Sequence, residues 1–126
     1  METIFAEKAT ENLNAAKLLL ENEMFNASAS RAYYAAFFAG VRALEHAGFS
    51  VEEISHKRLQ AMFNRELIHR RKIYPRRFRS KLLDMIDIRI DADYKNMNVS
   101  KKRAFTQVKN ASEFVRTILR ETNYAK

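Results

Sequence analysis

Residues 26–48 read NASASRAYYAAFFAGVRALEHAG, and this stretch sets the class of the fold. It contains no proline, and the chain's two glycines, Gly40 and Gly48, both fall inside it. Asn26 is a good N-cap residue and Gly48 suits the left-handed position that follows a helix, so one helix is predicted between them. Tyr33 and Phe37 share one of its faces and Tyr34 and Phe38 the adjacent one, above first turns built of small residues. Core packing accounts for most of these rings. The apolar arc is nonetheless wide enough to be covered twice, once by its own bundle and once by a second subunit, which makes a homodimer the expectation.

Before this stretch, a first helix is expected over residues 3–23, with Ile4, Ala9, Leu13, Ala16 and Leu20 on one face. Beyond Gly48, Ser50-Val-Glu-Glu53 reads as a capping box opening a third helix that carries Ile54, Leu59, Met62, Phe63 and Leu67 inward. Pro75, the chain's one proline, is placed in the first turn of a fourth helix whose stripe is Phe78, Leu82, Met85 and Ile86. After a loop over residues 95–99, a last helix starts near Ser100, and Ala104, Val108, Ala111, Val115 and Ile118 step along it at heptad-like intervals. There is no internal repeat, low-complexity tract or dividing linker. The expectation is all-α: a single domain over residues 1–126, folded as an antiparallel helical bundle of about five helices.

Composition agrees with that class. Of 126 residues, 47% are hydrophobic and 30% charged, which fits neither a disordered chain nor a turn-rich β-sandwich. The absence of cysteine excludes a disulfide framework, a thiolate metal site and a cysteine nucleophile. No basic segment precedes an apolar block at the start, and no run approaches the ~18 apolar residues of a membrane span, so a soluble, cytoplasmic protein is expected.

The net charge of +8 is unevenly placed. Residues 1–53 hold eight acids and four bases, whereas residues 54–126 hold seven acids and nineteen bases. Residues 69–81, HRRKIYPRRFRSK, carry seven Lys or Arg and no acid. Arg70, Arg71, Lys72, Arg76, Arg77 and Arg79 are therefore the expected RNA-facing cations, with a solvated connector as the plain alternative.

A second constellation is Arg89-Ile-Asp91-Ala-Asp93-Tyr94. Arg89 follows Leu82 and Met85 at helical spacing, which turns a guanidinium toward the bundle. Two readings stand side by side: an ion pair with Asp93 one turn on, or a phosphate-binding Arg at a cleft with Tyr94 beside it. Arg31, just before the aromatic block, joins the phosphate-binding candidates. His46, His56 and His69 are scattered without a metal-ligand spacing, and neither glycine belongs to a phosphate loop, so no metal and no cofactor are expected.

The order of these features resembles the HEPN domains, named for higher eukaryotes and prokaryotes nucleotide-binding. The features are the Ser-Arg-Ala-Tyr-Tyr-Ala block (Ser30 to Ala35), the helix ending at Gly48, His56, Phe63, Arg89 to Tyr94, and Ala111 to Val115. The small stand-alone prokaryotic branch is the most similar, over roughly residues 5–120. The resemblance implies a helical bundle, commonly a homodimer, often made beside a minimal nucleotidyltransferase with which it forms a toxin–antitoxin pair. Many such domains are metal-independent ribonucleases whose motif is an Arg and a His with four to six residues between them, paired across a dimer cleft. Arg89 matches that Arg, but the positions open to the His hold Tyr94, Lys95 and Asn96. The resemblance therefore implies a non-catalytic or weakly catalytic nucleotide- or RNA-associated module that partners a nucleotidyltransferase. The alternatives are a ribonuclease using Arg89 with Tyr94 or His56, and a purely structural helical dimer; whether the chain is an enzyme stays open.

Overall fold

Small side chains let the first two helices approach closely, and this hairpin sets the rest. In the computed structural model, which describes residues 3–124, α1 (Ile4–Glu21) and α2 (Phe25–His46) are joined by three residues. Most of their alanines, among them Ala6, Ala9, Ala16, Ala32 and Ala36, are buried. The Ser28 hydroxyl donates to the Ala16 carbonyl at 2.8 Å, and Phe5 stacks on Phe38 with centroids 6.3 Å apart. The remaining elements are α3 (His56–Met62), continued by a π-helical stretch (Phe63–Arg70), then α4 (Arg77–Tyr94) and α5 (Lys101–Glu121).

The expected all-α bundle is the fold found. Central α2 touches every other helix. It runs antiparallel to α1 and to α4, since Arg31 reaches Asn12 and Tyr34 reaches Arg89. It runs parallel to α5, whose beginning and end meet it through Gln107 to the Ala29 carbonyl and Arg42 to Thr122. Gln107 Nε2 also donates to the Met85 carbonyl at 2.9 Å, so one buried amide ties α2, α4 and α5 together. A second core layer stacks Phe63, Tyr74, Phe78 and Phe114 at centroid spacings of 4.9–6.0 Å. The heptad-like seam of α5 is buried throughout.

Three helix starts differ from the sequence expectation. Helix α2 begins at Phe25, and Asn26 does not cap it. Its amide instead donates to Asn98 Oδ1 at 3.0 Å and accepts the Val99 N–H at 2.8 Å, which pins the loop before α5. The Ser50–Glu53 capping box does not form: Glu53 adopts a left-handed φ of 52°, and the chain turns there so that Val51 and Ile54 pack on the core. Helix α3 starts later, at His56, where Ser55 accepts the Arg58 N–H at 3.1 Å. Pro75 lies two residues ahead of α4 rather than inside its first turn, and its carbonyl accepts the Phe78 N–H at 3.0 Å. A residue before proline disfavours helix, and Tyr74 is spent filling the aromatic layer. Ser100 caps α5 as expected, accepting the Arg103 N–H at 3.1 Å.

The wide aromatic face of α2 is covered within one chain. Tyr33 and Phe37 are buried, Tyr34 and Phe38 half-buried. Surplus apolar surface on this helix thus gives little ground for a homodimer, and that expectation rests on the resemblance. Among the described residues, no helix is long and apolar enough to cross a membrane.

Candidate functional site

The stripe that buries Phe78, Leu82 and Met85 continues by one step to Arg89, so α4 aims a guanidinium at the space between itself and α2. A charge in that position demands partners, and they come from two helices. Arg89 Nε donates to Asp93 Oδ2 at 3.1 Å, and Nη2 donates to the Tyr34 hydroxyl at 2.9 Å and the Tyr94 hydroxyl at 3.4 Å. Its central carbon lies 5.4–5.5 Å from the ring centroids of Tyr33, Tyr34 and Tyr94, within cation–π range of all three. The Asp93 carboxylate also accepts from Ser30 Oγ at 3.3 Å.

The Arg89–Asp93 pair exists, and its side chains are 14% and 26% exposed, so it sits at the rim of the core rather than sealed within it. Burial opposes the charge on Arg89, but Tyr34, Tyr94 and Asp93 together outweigh it and hold its pKa above the ordinary value. Nη1, with two N–H donors, makes no hydrogen bond to a described residue.

His56 arrives at the same place from α3. Its ring packs against Tyr33, Tyr34 and Phe37 with centroids 4.5–5.6 Å away, and its Nδ1 lies 2.7 Å from the Tyr33 hydroxyl. Burial, and then the Arg89 charge, lower the His56 pKa below its ordinary value. Burial pushes the Tyr33 phenol up to about 12, against the opposing pull of Arg89. The Tyr33 hydroxyl and Nδ1 are within hydrogen-bond distance, and which of the two donates follows the tautomer of the ring. The His56 ring thereby joins the tyrosines gathered around Arg89.

Of the other candidates, Arg31 stacks on Tyr34 at 4.7 Å and donates to Asn12 Oδ1 at 2.9 Å, which backs the tyrosine that holds Arg89. Tyr94 is 71% exposed, with its ring at the mouth. The basic segment divides. Arg70 pairs with buried Glu66 at 3.1 Å, and Arg77 with Glu113 at 3.2 Å. Arg71 donates to the Ala47 carbonyl and stacks on Phe49. Lys72, Arg76 and Arg79 are exposed and uncommitted among the described residues. Sequence reasoning left Tyr33 and Tyr34 in the core and missed their hydroxyls as ligands. The available signal was that they are tyrosines inside a block of rings, since a buried hydroxyl asks for a partner. Among the described residues, no group of three or more His, Cys, Asp or Glu is placed to hold a metal ion.

The arrangement is a donor-rich recess at the rim of the core: a planar guanidinium held through Nε and Nη2, with Nη1 unbonded to any described residue, beside the Tyr34 and Tyr94 hydroxyls and the His56 ring. Such a recess suits a phosphate oxyanion. A family model described as HEPN domain matches residues 3–122. No curated protein matches the chain.

Proposed function

The chain belongs to the HEPN domain family, and on that premise we propose that it is a nucleotide- or RNA-associated module whose Arg89 recess binds a phosphate group. In this reading it is non-catalytic or weakly catalytic, acts as a homodimer, and serves as the partner of a minimal nucleotidyltransferase in a toxin–antitoxin-type system. The observation that carries the phosphate reading is the state of Arg89: Nε and Nη2 are locked, while Nη1 keeps two unused donors. A group needed only to pair with Asp93 would not require three tyrosine rings around it. The net charge of +8 adds a field that draws anionic ligands toward the protein.

We rank catalysis second because of how His56 is held. It brings an imidazole beside an Arg that lacks one on its own helix, which is the specific support for a ribonuclease using Arg89 with His56. Yet a general base needs a free lone pair, and Nδ1 is engaged with the Tyr33 hydroxyl at 2.7 Å. Tyr94, as an ordinary phenol, is a poor base near neutral pH. In this reading His56 packs against and orders Tyr33 rather than shuttling a proton.

The test is calorimetric titration of the protein with ATP and with a short single-stranded RNA in EDTA, alongside incubation with mixed transfer and messenger RNA. Binding weakened by Arg89→Ala without cleavage supports the proposal. RNA cleavage by the unmodified protein that disappears in Arg89→Ala would put the enzyme first.

A further inference from the structure

We infer that the molecule carries a second, separate phosphate-binding groove between the π-helical stretch and the start of α4, formed by Asn64, Arg65, His69, Arg76, Arg79 and Ser80. This groove has a volume of about 650 Å³, and no acidic residue lines it. That volume falls within the roughly 300–1,000 Å³ of sites that hold small organic ligands.

The groove owes its charge to how the surrounding cations are spent. Arg70, Arg71 and Arg77 are engaged with Glu66, with Ala47 and Phe49, and with Glu113. Arg76, Arg79 and His69 make no side-chain hydrogen bond or ion pair among the described residues. Arg65 is tied only through Nε, to Glu66 Oε2 at 3.0 Å, which leaves the outer edge of its guanidinium available. The π-helical stretch contributes directly: it buries Glu66, Leu67 and Ile68 in succession while leaving Arg65 and His69 on the outside. Departures of this kind from α-helical register are frequent at functional sites. Unpaired Arg76 and Arg79 on the α4 side and the outer edge of Arg65 on the other, with the Asn64 amide and the Ser80 hydroxyl in the same lining, suit a ligand bearing more than one phosphate.

The groove is not an extension of the Arg89 recess. Ten to thirteen residues of α4 separate Arg79 and Arg76 from Arg89, about 15–20 Å along the axis, and the helix rotates by roughly 80–140° between them. One phosphate cannot touch both. The ligand class is therefore a nucleotide chain carrying successive phosphates, and the occupant that best uses an open, two-walled groove is a single RNA strand; a free nucleoside triphosphate shares the chemistry.

The experiment measures binding of fluorescein-labelled U12 RNA, and of ATP, across a salt series. The variants are Arg76→Gln with Arg79→Gln, a charge-matched control of Arg70→Gln with Arg71→Gln, and Arg89→Ala. The groove variant should make the log–log salt slope for U12 shallower by about 0.7 for each phosphate that the protein no longer neutralises, about 1.4 in all, with the control changing it less. Loss of ATP binding in the groove variant with U12 unaffected assigns the same groove to a free nucleotide. Equal effects of the groove variant and its control, or none from either, overturn the groove. Loss of U12 binding through Arg89→Ala alone does so as well, and leaves the Arg89 reading standing. Because Arg76 and Arg79 are exposed and unpartnered, thermal melting should be unchanged in the groove variant, which separates a weakened salt dependence from a damaged fold.

Discussion

Replacing Arg89 with alanine separates structure from ligand binding, because the geometry limits what the change costs the fold. The substitution removes two short hydrogen bonds, to Asp93 at 3.1 Å and Tyr34 at 2.9 Å, and a longer one to Tyr94 at 3.4 Å. A fully buried ion pair broken on one side would cost roughly 3–5 kcal/mol. Here Asp93 is 26% exposed and Tyr94 71% exposed, so water reaches the groups left behind and Ser30 still serves the carboxylate. The expected loss is about 1–2 kcal/mol, nearer the range of partly exposed charged hydrogen bonds. For a domain of this size that is a fall in melting temperature of about 3–12 °C by scanning calorimetry. Phosphate binding should fall further, by about 10–100-fold, since a charge-assisted contact contributes roughly 1.5–3 kcal/mol. Unchanged binding together with a stability loss of the fully buried size would show that Arg89 is a structural cation and refute the phosphate argument. No change in either would remove it from consideration.

Three further outcomes follow from the same contacts. His56 has a folded-state pKa below its ordinary value of about 6.5, so the unfolded chain takes up a proton that the folded chain resists. Stability should thus be full above about pH 6.5 and decline as pH falls below it, and His56→Gln should flatten that decline in melts from pH 8 to 5; an unaltered profile would contradict the assignment. Gln107→Leu removes the side-chain donor to the Ala29 and Met85 carbonyls, which keep their helical partners, and also removes a buried Oε1 that has none, so chemical denaturation should show a loss of only about 1 kcal/mol. Tyr94→His sets an imidazole with an available lone pair next to Arg89, and RNA cleavage in EDTA should rise above that of the unmodified protein if a base is the missing component; no rise would mean that the recess does not place RNA for attack.

Local periodicity made much of this protein legible from its residues alone. The long helix through residues 26–48, the inward stripe of α4 and the Ser100 cap of α5 could all be read, because a side chain's face follows from its neighbours three and four positions away. The same arithmetic turned Arg89 inward and offered Asp93 as its partner. What else meets that guanidinium was settled by the packing of helices remote in the chain. Tyr34 lies 55 residues from Arg89, and His56 lies 23 residues from Tyr33; no spacing rule links such positions. The same holds for Asn26, whose cap-forming amide is claimed by residues 98–99 across the fold. The basic segment shows the division most clearly. Its charge is a property of composition, but which cations remain uncommitted depends on where Glu66, Glu113 and the Ala47 carbonyl come to rest. A charge is neutralised by whatever lies within a few ångströms in space, and distance in space between remote residues is fixed only when the helices pack.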